Sequence, residues 1–347
     1  MQTTKISNRV KQLMINRNES LYPPAPKVRQ AIRNFQANKI NRYIGGYYNS
    51  KLVDKISSLF SFPKNQVLIF YGLEDFFRNL FNQLDKSKDS VLTNQYHFAY
   101  FSSYLKHLKI KLHQFPLLEK ENTFTFDINT CLKLYKKYKP SIVLLTSPNN
   151  PTGNVLPLAD LKKVLKTVNK NTLIILDEAY FGFDQNYSVK KYLNLLKKYP
   201  NLCLVRTFSK FYGLAGMRIG YALAGKKALS IIKYQPYYLN FSQILEDVAI
   251  AALNSNTYYQ QVAKKISTDR DWFIKQVNQL QNFKTYNSQT NFALVKVNPK
   301  ILPALKSAMN KESAQIGLLF GKNMLRVSIG LPKYTKQFLK LLQKLDK

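Results

Sequence analysis

Short apolar runs alternate with helical patterns up to about residue 225, and this alternation restricts the fold more than any other feature of the chain. QVLIFYG leads into LEDFFRNLFNQL, SIVLLTSP leads through a proline-rich turn into LADLKKVLKTV, and NTLIILDEAY and NLCLVRTFSK follow. A run that is apolar throughout, rather than at every second position, must be covered on both faces, and helices between successive runs supply the cover. The pattern predicts an α/β fold: a large domain with a mostly parallel central sheet flanked by helices. After residue 225 the rhythm changes. A long helical stretch in SQILEDVAIAALNSNTYYQQVAKKI precedes NFALVKV and MLRVSIG, which predicts a smaller α+β C-terminal domain. At 347 residues the chain is long enough for both. We read residues 1–40 as an N-terminal segment packing with the small domain, 41–235 as the large domain and 236–347 as the small domain.

Charge bears on partners. The chain carries 53 Lys and Arg against 19 Asp and Glu, a formal charge of +34, which suits nucleic acid, an anionic surface or an anionic substrate. The placement of the lysines separates these. In DLKKVLKTVNK the residues Leu161, Val164, Leu165 and Val168 recur at helical spacing, with Lys162, Lys163, Lys166 and Lys170 between them, which describes a solvated helix face. CLKLYKKYKP and KQFLKLLQKLDK repeat the habit. The charge is therefore expected as a dispersed coat. A basic nucleic-acid-binding protein without catalysis is the alternative from another class, and the chain has no recognisable nucleic-acid motif. Cys131 and Cys203, in helix-like and strand-like surroundings, predict free thiols in a reducing compartment. MQTTKISNRVKQLM has no apolar core of signal-peptide length, and no run approaches the ~18 apolar residues that span a bilayer, so a cytoplasmic location is expected. His97, His107 and His113 lack zinc-like partner spacing, and no metal site is expected.

Open parallel sheets bind ligands beyond the carboxyl ends of their strands. SIVLLT ends in SPNNPTG, TLIIL in DEAY and NLCLVR in TFSK. Consecutive strands thus bring Asn150, then Asp177 with Tyr180, then Ser209 with Lys210 to one edge. Each has an ordinary role available to it, since Asn150 before a proline makes a turn and Asp177 or Ser209 can cap a helix. Lys210 is the informative member. It lies in FSKFYGLAGMRIGY, an apolar, glycine-punctuated stretch, in a chain whose other lysines favour helix faces. Burial there is expected to depress its pKa and leave a free amine near neutral pH, fit to act as nucleophile or base.

As an ordered set these motifs resemble the fold-type I enzymes that depend on pyridoxal 5'-phosphate, and among them the class I/II aminotransferases of the histidinol-phosphate aminotransferase type. NESLYPP is similar to the family's Asn-Glu-Asn-Pro-Tyr-Gly-Pro entry segment, NRYIGG to its Asn-Arg-Tyr-Pro element, and VLIFYGLEDFF to its strand, Gly-Ser-Asp-Glu turn and helix. SPNNPTG, DEAY, RTFSKFYGLAGMRIGY and LRVSIG match almost letter for letter, and the resemblance covers nearly the whole chain. It implies transfer of an amino group between an amino acid, or an amino-phosphate such as histidinol phosphate, and a 2-oxo acid. Lys210 would hold the cofactor aldehyde as an imine and Asp177 would pair with the pyridine nitrogen, while Asn150 and Tyr180 would hydrogen-bond the phenolic oxygen. Arg218, Ser209 and the backbone N–H groups of Leu73 and Glu74 would hold the phosphate. Tyr43 would reach the phosphate of a neighbouring subunit, which implies a homodimer. Arg326 would bind the substrate carboxylate, with Tyr22 and Asn150 also at the substrate. A ring over the cofactor is expected from NQYHFAYF, with Tyr100 favoured and His97 or Phe101 as alternatives.

The chain departs from the family at two places. Members acting on histidinol phosphate carry a second arginine in a Gly-Ile-x-x-Arg-like strand, where GLLFGKNMLR has Gly321 and Lys322. Histidinol phosphate is therefore expected to serve poorly beside a carboxylated donor such as glutamate. In the turn, Leu73 replaces a small residue and Glu74 an aspartate, changes that leave the backbone donors in place. A decarboxylase of the threonine-phosphate decarboxylase type would share the lysine, aspartate and arginine and stands as the alternative reaction.

Overall fold

The computed structural model describes residues 16–43, 50–233, 241–311, 317–319 and 323–346. Seven strands form the central sheet in the order Val67–Phe70, Gly220–Ala224, Leu202–Thr207, Leu173–Asp177, Ile142–Thr146, Ser90–Asn94 and Lys111–Phe115. The last five pair in parallel. Gly220–Ala224 runs antiparallel to both of its neighbours. Its reversal has a local cause: the chain leaves Thr207, turns through Lys210 and the short helix Ala215–Met217, and re-enters beside the strand it has just left. No crossover helix is needed for that return.

Every residue of Ile142–Thr146, Leu173–Asp177 and Leu202–Thr207 is buried, as the uninterrupted apolar runs predict. Ile142 and Leu144 join one apolar cluster and Val143 and Leu145 another, because successive strand residues point to opposite faces. The helix between these strands, Leu158–Thr167, buries Leu161, Val164 and Leu165 and exposes Lys162, Lys163 and Lys166. The same division holds in Ile128–Tyr138 and in Pro332–Leu345. Lysines spread in this way give no single phosphate-tracking groove, so binding to duplex DNA should be weak and should vanish by physiological salt. Sub-micromolar binding that persisted at about 0.2 M salt in a filter or anisotropy assay would restore the nucleic-acid reading.

A second, antiparallel sheet has the order Phe283–Thr285, Phe292–Val297, Met324–Ser328, Gly317–Leu319. The helical stretch expected as one piece is two helices, Gln243–Leu253 and Asn256–Val277. The Ser255 hydroxyl donates to the Ala251 carbonyl at 2.8 Å, the kind of local competition for backbone groups by which serine interrupts a helix. Helix Pro26–Arg33 packs on Gln243–Leu253. Upstream of it, Asn18 N–H donates to Ser328 Oγ at 2.8 Å, and Asn291 Nδ2 donates to the Asn18 carbonyl at 2.9 Å. The entry segment is thereby tied to the second sheet and lies over the strand ends of the first. Among the described residues no helix is long and apolar enough to cross a membrane.

Candidate active site

A cavity of about 340 Å³ opens at the carboxyl ends of the three buried strands. Asn150, Asp177, Tyr180, Ser209 and Lys210 all line it, as do Leu73, Glu74, Tyr100, Arg218 and Arg326. Parallel strand direction explains the first group, since chain that has just left neighbouring strands emerges along one edge.

Lys210 Nζ donates to the Arg17 carbonyl at 2.9 Å. Burial lowers its pKa to about 8, helped by the Arg326 and Arg218 charges and opposed by Glu19. Asp177 is buried at the end of its strand, with Oδ1 accepting from Ala179 N–H at 2.9 Å. Burial raises this carboxyl to about 7, against the pull of the Ala179 bond and with a push from Glu178. A cation placed beside Asp177 would reverse that shift. The Tyr180 hydroxyl accepts from Asn18 Nδ2 at 2.8 Å, and burial pushes its pKa up.

Arg326 enters from the second sheet. Its Nη1 donates to Asn150 Oδ1 and its Nη2 to the Asn16 carbonyl, each at 2.6 Å, while Nε is buried with no hydrogen-bond partner among the described residues. Arg218 sits in the left-handed region at φ 52°, with Nη1 donating to the Ala215 carbonyl at 3.1 Å and lying 3.5 Å from Ser209 Oγ. Its guanidinium crosses Gly72, the residue that opens helix Leu73–Phe81 at φ 80°. Arg218, Ser209 and the first turn of that helix meet at one corner of the cavity, a donor set whose chemistry suits an anion.

Tyr100 lines the cavity, stacked on Tyr104 at 5.4 Å, and burial raises its pKa to about 12. The alternatives do not reach it. The His97 ring bonds to the Asn94 carbonyl at 2.8 Å and Ser102 Oγ at 2.6 Å, and Phe101 packs in the core against Phe77 at 4.6 Å. Phe98, which the sequence reading did not weigh, also lines the cavity from the position just before helix Ala99–His107.

Tyr22 requires a correction: it lines a different cavity, with Trp272 and Lys336, not the one around Lys210. A turn closed by Tyr22 N–H to Ser20 Oγ at 3.2 Å and Ser20 Oγ to the Tyr22 carbonyl at 3.1 Å carries the chain away from the strand ends. Arg17, Asn18 and Glu19, which the sequence reading overlooked, line the cavity instead. Tyr43 is 80% exposed and does not line the cavity of its own chain. Gly321 and Lys322 lie outside the described residues.

A buried pair sits next to the site without entering it. Arg206 Nε donates to Glu178 Oε2 at 2.7 Å, Tyr187 OH donates to Glu178 Oε1 at 2.6 Å, and the Arg206 guanidinium lies 3.9 Å from the centre of the Phe181 ring. Glu178 follows Asp177 and points the opposite way, so the two carboxylates are divided between the cavity and a lock joining neighbouring strands. Breaking such a pair leaves one buried charge uncompensated, at a cost of roughly 3–5 kcal/mol. Its signal in the sequence was a second charged residue in each of two strand-end motifs, Glu178 beside Asp177 in DEAY and Arg206 before Lys210 in RTFSK.

The profile of the aminotransferases of class I and II matches residues 10–340. The chain belongs to that family. Histidinol-phosphate aminotransferase of Clostridium botulinum (strain Okra / Type B1) is 30% identical over 340 residues, covering 96% of this chain and 92% of that protein. The crystal structure of histidinol-phosphate aminotransferase from Sinorhizobium meliloti with pyridoxal-5'-phosphate superposes with a TM-score of 0.82 at 24% identity, over 96% of this chain and 90% of that one. L-threonine-O-3-phosphate decarboxylase from Porphyromonas gingivalis shares the fold, with a TM-score of 0.79 at 20% identity over 95% of this chain and 98% of that one.

This aminotransferase depends, with its family, on pyridoxal 5'-phosphate, and the cavity residues fit that group. The cavity is within the size range of small-molecule sites, about 300–1,000 Å³. Asp177 has no cationic partner among the described residues, and the corner at Gly72 collects donors for an anion. A Cβ at position 72 would stand 2.8 Å from Arg218 Nη2 in a backbone conformation that side chains rarely adopt. Gly72→Ala should therefore cost about 1–3 kcal/mol of stability and weaken phosphate anchoring. Thermal denaturation and a cofactor titration of the variant check both.

Proposed function

We propose that this aminotransferase takes the amino group of an anionic amine, an amino acid or an amino-phosphate such as histidinol phosphate, and passes it to a 2-oxo acid, working as a cytoplasmic homodimer. The observation that carries the reading is the convergence of Lys210, Asp177 and Arg326 on one cavity. Arg326 fits the substrate's anion, because its guanidinium is held by Asn150 and by the entry segment. When bound, pyridoxal 5'-phosphate supplies an electron sink next to the substrate's reacting carbon.

Within this reading the chain's residues divide the remaining work. Lys210 has a pKa of about 8, so an appreciable fraction carries a free amine near neutral pH, able to bond the cofactor aldehyde and to take up and return the substrate proton at Nζ. With the cofactor bound, the Asp177 carboxylate would keep a proton on the pyridine nitrogen, and Tyr180 with Asn150 would orient the phenolic oxygen. Ser209, Arg218 and the N–H groups of Leu73 and Glu74 would hold the phosphate, and Tyr43, exposed in its own chain, would reach that of a partner copy. Tyr100 and Phe98 supply aromatic cover. The entry segment Arg17–Glu19 borders the same cavity, and its Arg17 carbonyl accepts from Lys210 Nζ.

Absorbance of the purified protein between about 330 and 430 nm, followed by a panel of amino donors with 2-oxoglutarate, tests the reading. Carbon dioxide release without consumption of the 2-oxo acid would replace it with the decarboxylase reading.

A further inference from the structure

We propose that Asn18 is a positioning residue for Tyr180: its side-chain amide fills the acceptor side of the Tyr180 hydroxyl and so commits that hydroxyl's hydrogen to the cavity. The proposal rests on the reading above, which puts Tyr180 at the cofactor's phenolic oxygen as a donor. A phenol hydroxyl can equally accept, and its hydrogen can turn to either side. The choice falls to its neighbours.

Asn18 is buried and fixed before it meets Tyr180. Its N–H donates to Ser328 Oγ at 2.8 Å, its carbonyl accepts from Asn291 Nδ2 at 2.9 Å, and its Oδ1 accepts from the Ser328 hydroxyl at 3.0 Å. Its backbone is left-handed at φ 53°, a region that asparagine enters more readily than most residues. The Ser328 hydroxyl has one hydrogen to give, and giving it to Oδ1 leaves Nδ2 to donate to Tyr180 OH at 2.8 Å. With the amide turned the other way, two N–H donors would meet Ser328 Oγ, and its own hydrogen would have no acceptor among the described residues. Burial makes that loss costly.

Tyr180 OH therefore accepts from Asn18, and its hydrogen is left for the cavity that Tyr180 lines. The hydroxyl has no other hydrogen-bond partner among the described residues. Its ring packs edge-on against Phe292 with 5.1 Å between centres, and Phe292 lies opposite Ser328 in the second sheet, so ring and hydroxyl are held from the same side. The charges of Arg326 and Asp177 act on the hydroxyl in opposite senses, and neither group bonds to it. A chain of donors thus runs from Ser328 through Asn18 and Tyr180 into the cavity, each link polarising the next. With the cofactor bound, the last link would hold charge on the phenolic oxygen and lower the pH at which the bound chromophore gives up its proton.

The test follows the absorbance of the bound cofactor between about 330 and 430 nm against pH in wild type, Asn18→Gly, Tyr180→Phe and the double variant. Glycine accepts the left-handed backbone and keeps the N–H and carbonyl bonds, so the side-chain amide alone is lost. The midpoint should rise by about one pH unit in Tyr180→Phe and by about half a unit in Asn18→Gly, while in the Phe background Asn18→Gly should add no more than about 0.2 unit. The kcat of Asn18→Gly should fall roughly three- to tenfold with KM within about twofold. Should that variant fail to fold, Ser328→Ala releases the amide from its fixed orientation, and should raise the midpoint beside Tyr180 and leave it unmoved beside Phe. Additive shifts in the double variant, or an unmoved midpoint in Asn18→Gly, would overturn the assignment. An unmoved midpoint in Tyr180→Phe would instead remove Tyr180 from the phenolic oxygen, and a wild-type protein without cofactor absorbance would strike at the aminotransferase reading; the proposal would fall with either.

Discussion

Lys210→Ala is expected to abolish turnover, by on the order of 10⁴-fold or more, and to remove any adduct that borohydride can fix to the protein. Among the described residues no other lysine lines the cavity, so none of them can take over the role by a change of rotamer. The variant should fold. Burial and the Arg326 and Arg218 charges hold the Lys210 pKa near 8, below its ordinary 10.5, so the folded chain disfavours the ammonium. That penalty is fully present below about pH 8 and fades as pH rises toward 10.5, because in this window the unfolded chain binds the extra proton. The cofactor-free Ala variant should consequently be at least as stable as wild type at pH 7 in a denaturant titration. A variant that kept a reducible lysine adduct would move the role to another residue.

Asp177→Asn is expected to cut the rate of α-proton removal roughly 10²-fold or more while leaving the fold intact, since a neutral pyridine accepts charge poorly and the amide is nearly isosteric. Stability should move the other way. The carboxyl is raised from 3.8 to about 7 by burial, so its contribution to stability falls as pH climbs from about 4 to 7, and the cost is complete above that. Asparagine removes this cost, and the cofactor-free variant should gain on the order of a few kcal/mol above pH 7. Cofactor added to the wild type should recover part of the same energy through a cationic ring nitrogen beside Asp177. A near wild-type rate with bound cofactor would reduce Asp177 to the turn-closing role that its bond to Ala179 N–H already gives it.

Much of the large domain was legible because it is written in local and periodic terms. Uninterrupted apolar runs required cover on both faces, helical spacing assigned Leu161 and Val164 inward and Lys162 and Lys163 outward, and the motifs after consecutive runs fell at one sheet edge. Lys210 was informative for a related reason, since an amine in an apolar turn has few structural uses. The aromatic wall was harder to assign. A helix beginning at Ala99 turns His97 and Phe101 inward and leaves Phe98 and Tyr100 at the cavity, and no composition rule marks that starting point.

Taken alone, then, the sequence determined the fold class, the edge at which the chemistry lies and the identities of Lys210, Asp177, Asn150, Tyr180 and Arg218 as its candidates, because each depends on strand periodicity or on an ordered local motif. Tertiary structure decided what passes between segments hundreds of residues apart. It brought Asn16 and Asn150 onto Arg326, carried Tyr22 away to a second cavity, and set the Arg17 carbonyl against Lys210 Nζ. Those contacts arise where the irregular entry segment crosses between two sheets. The crossing is set by packing and hydrogen bonds to Ser328, Asn291 and Tyr180, and no periodicity within the entry segment encodes which of its residues will face the cavity.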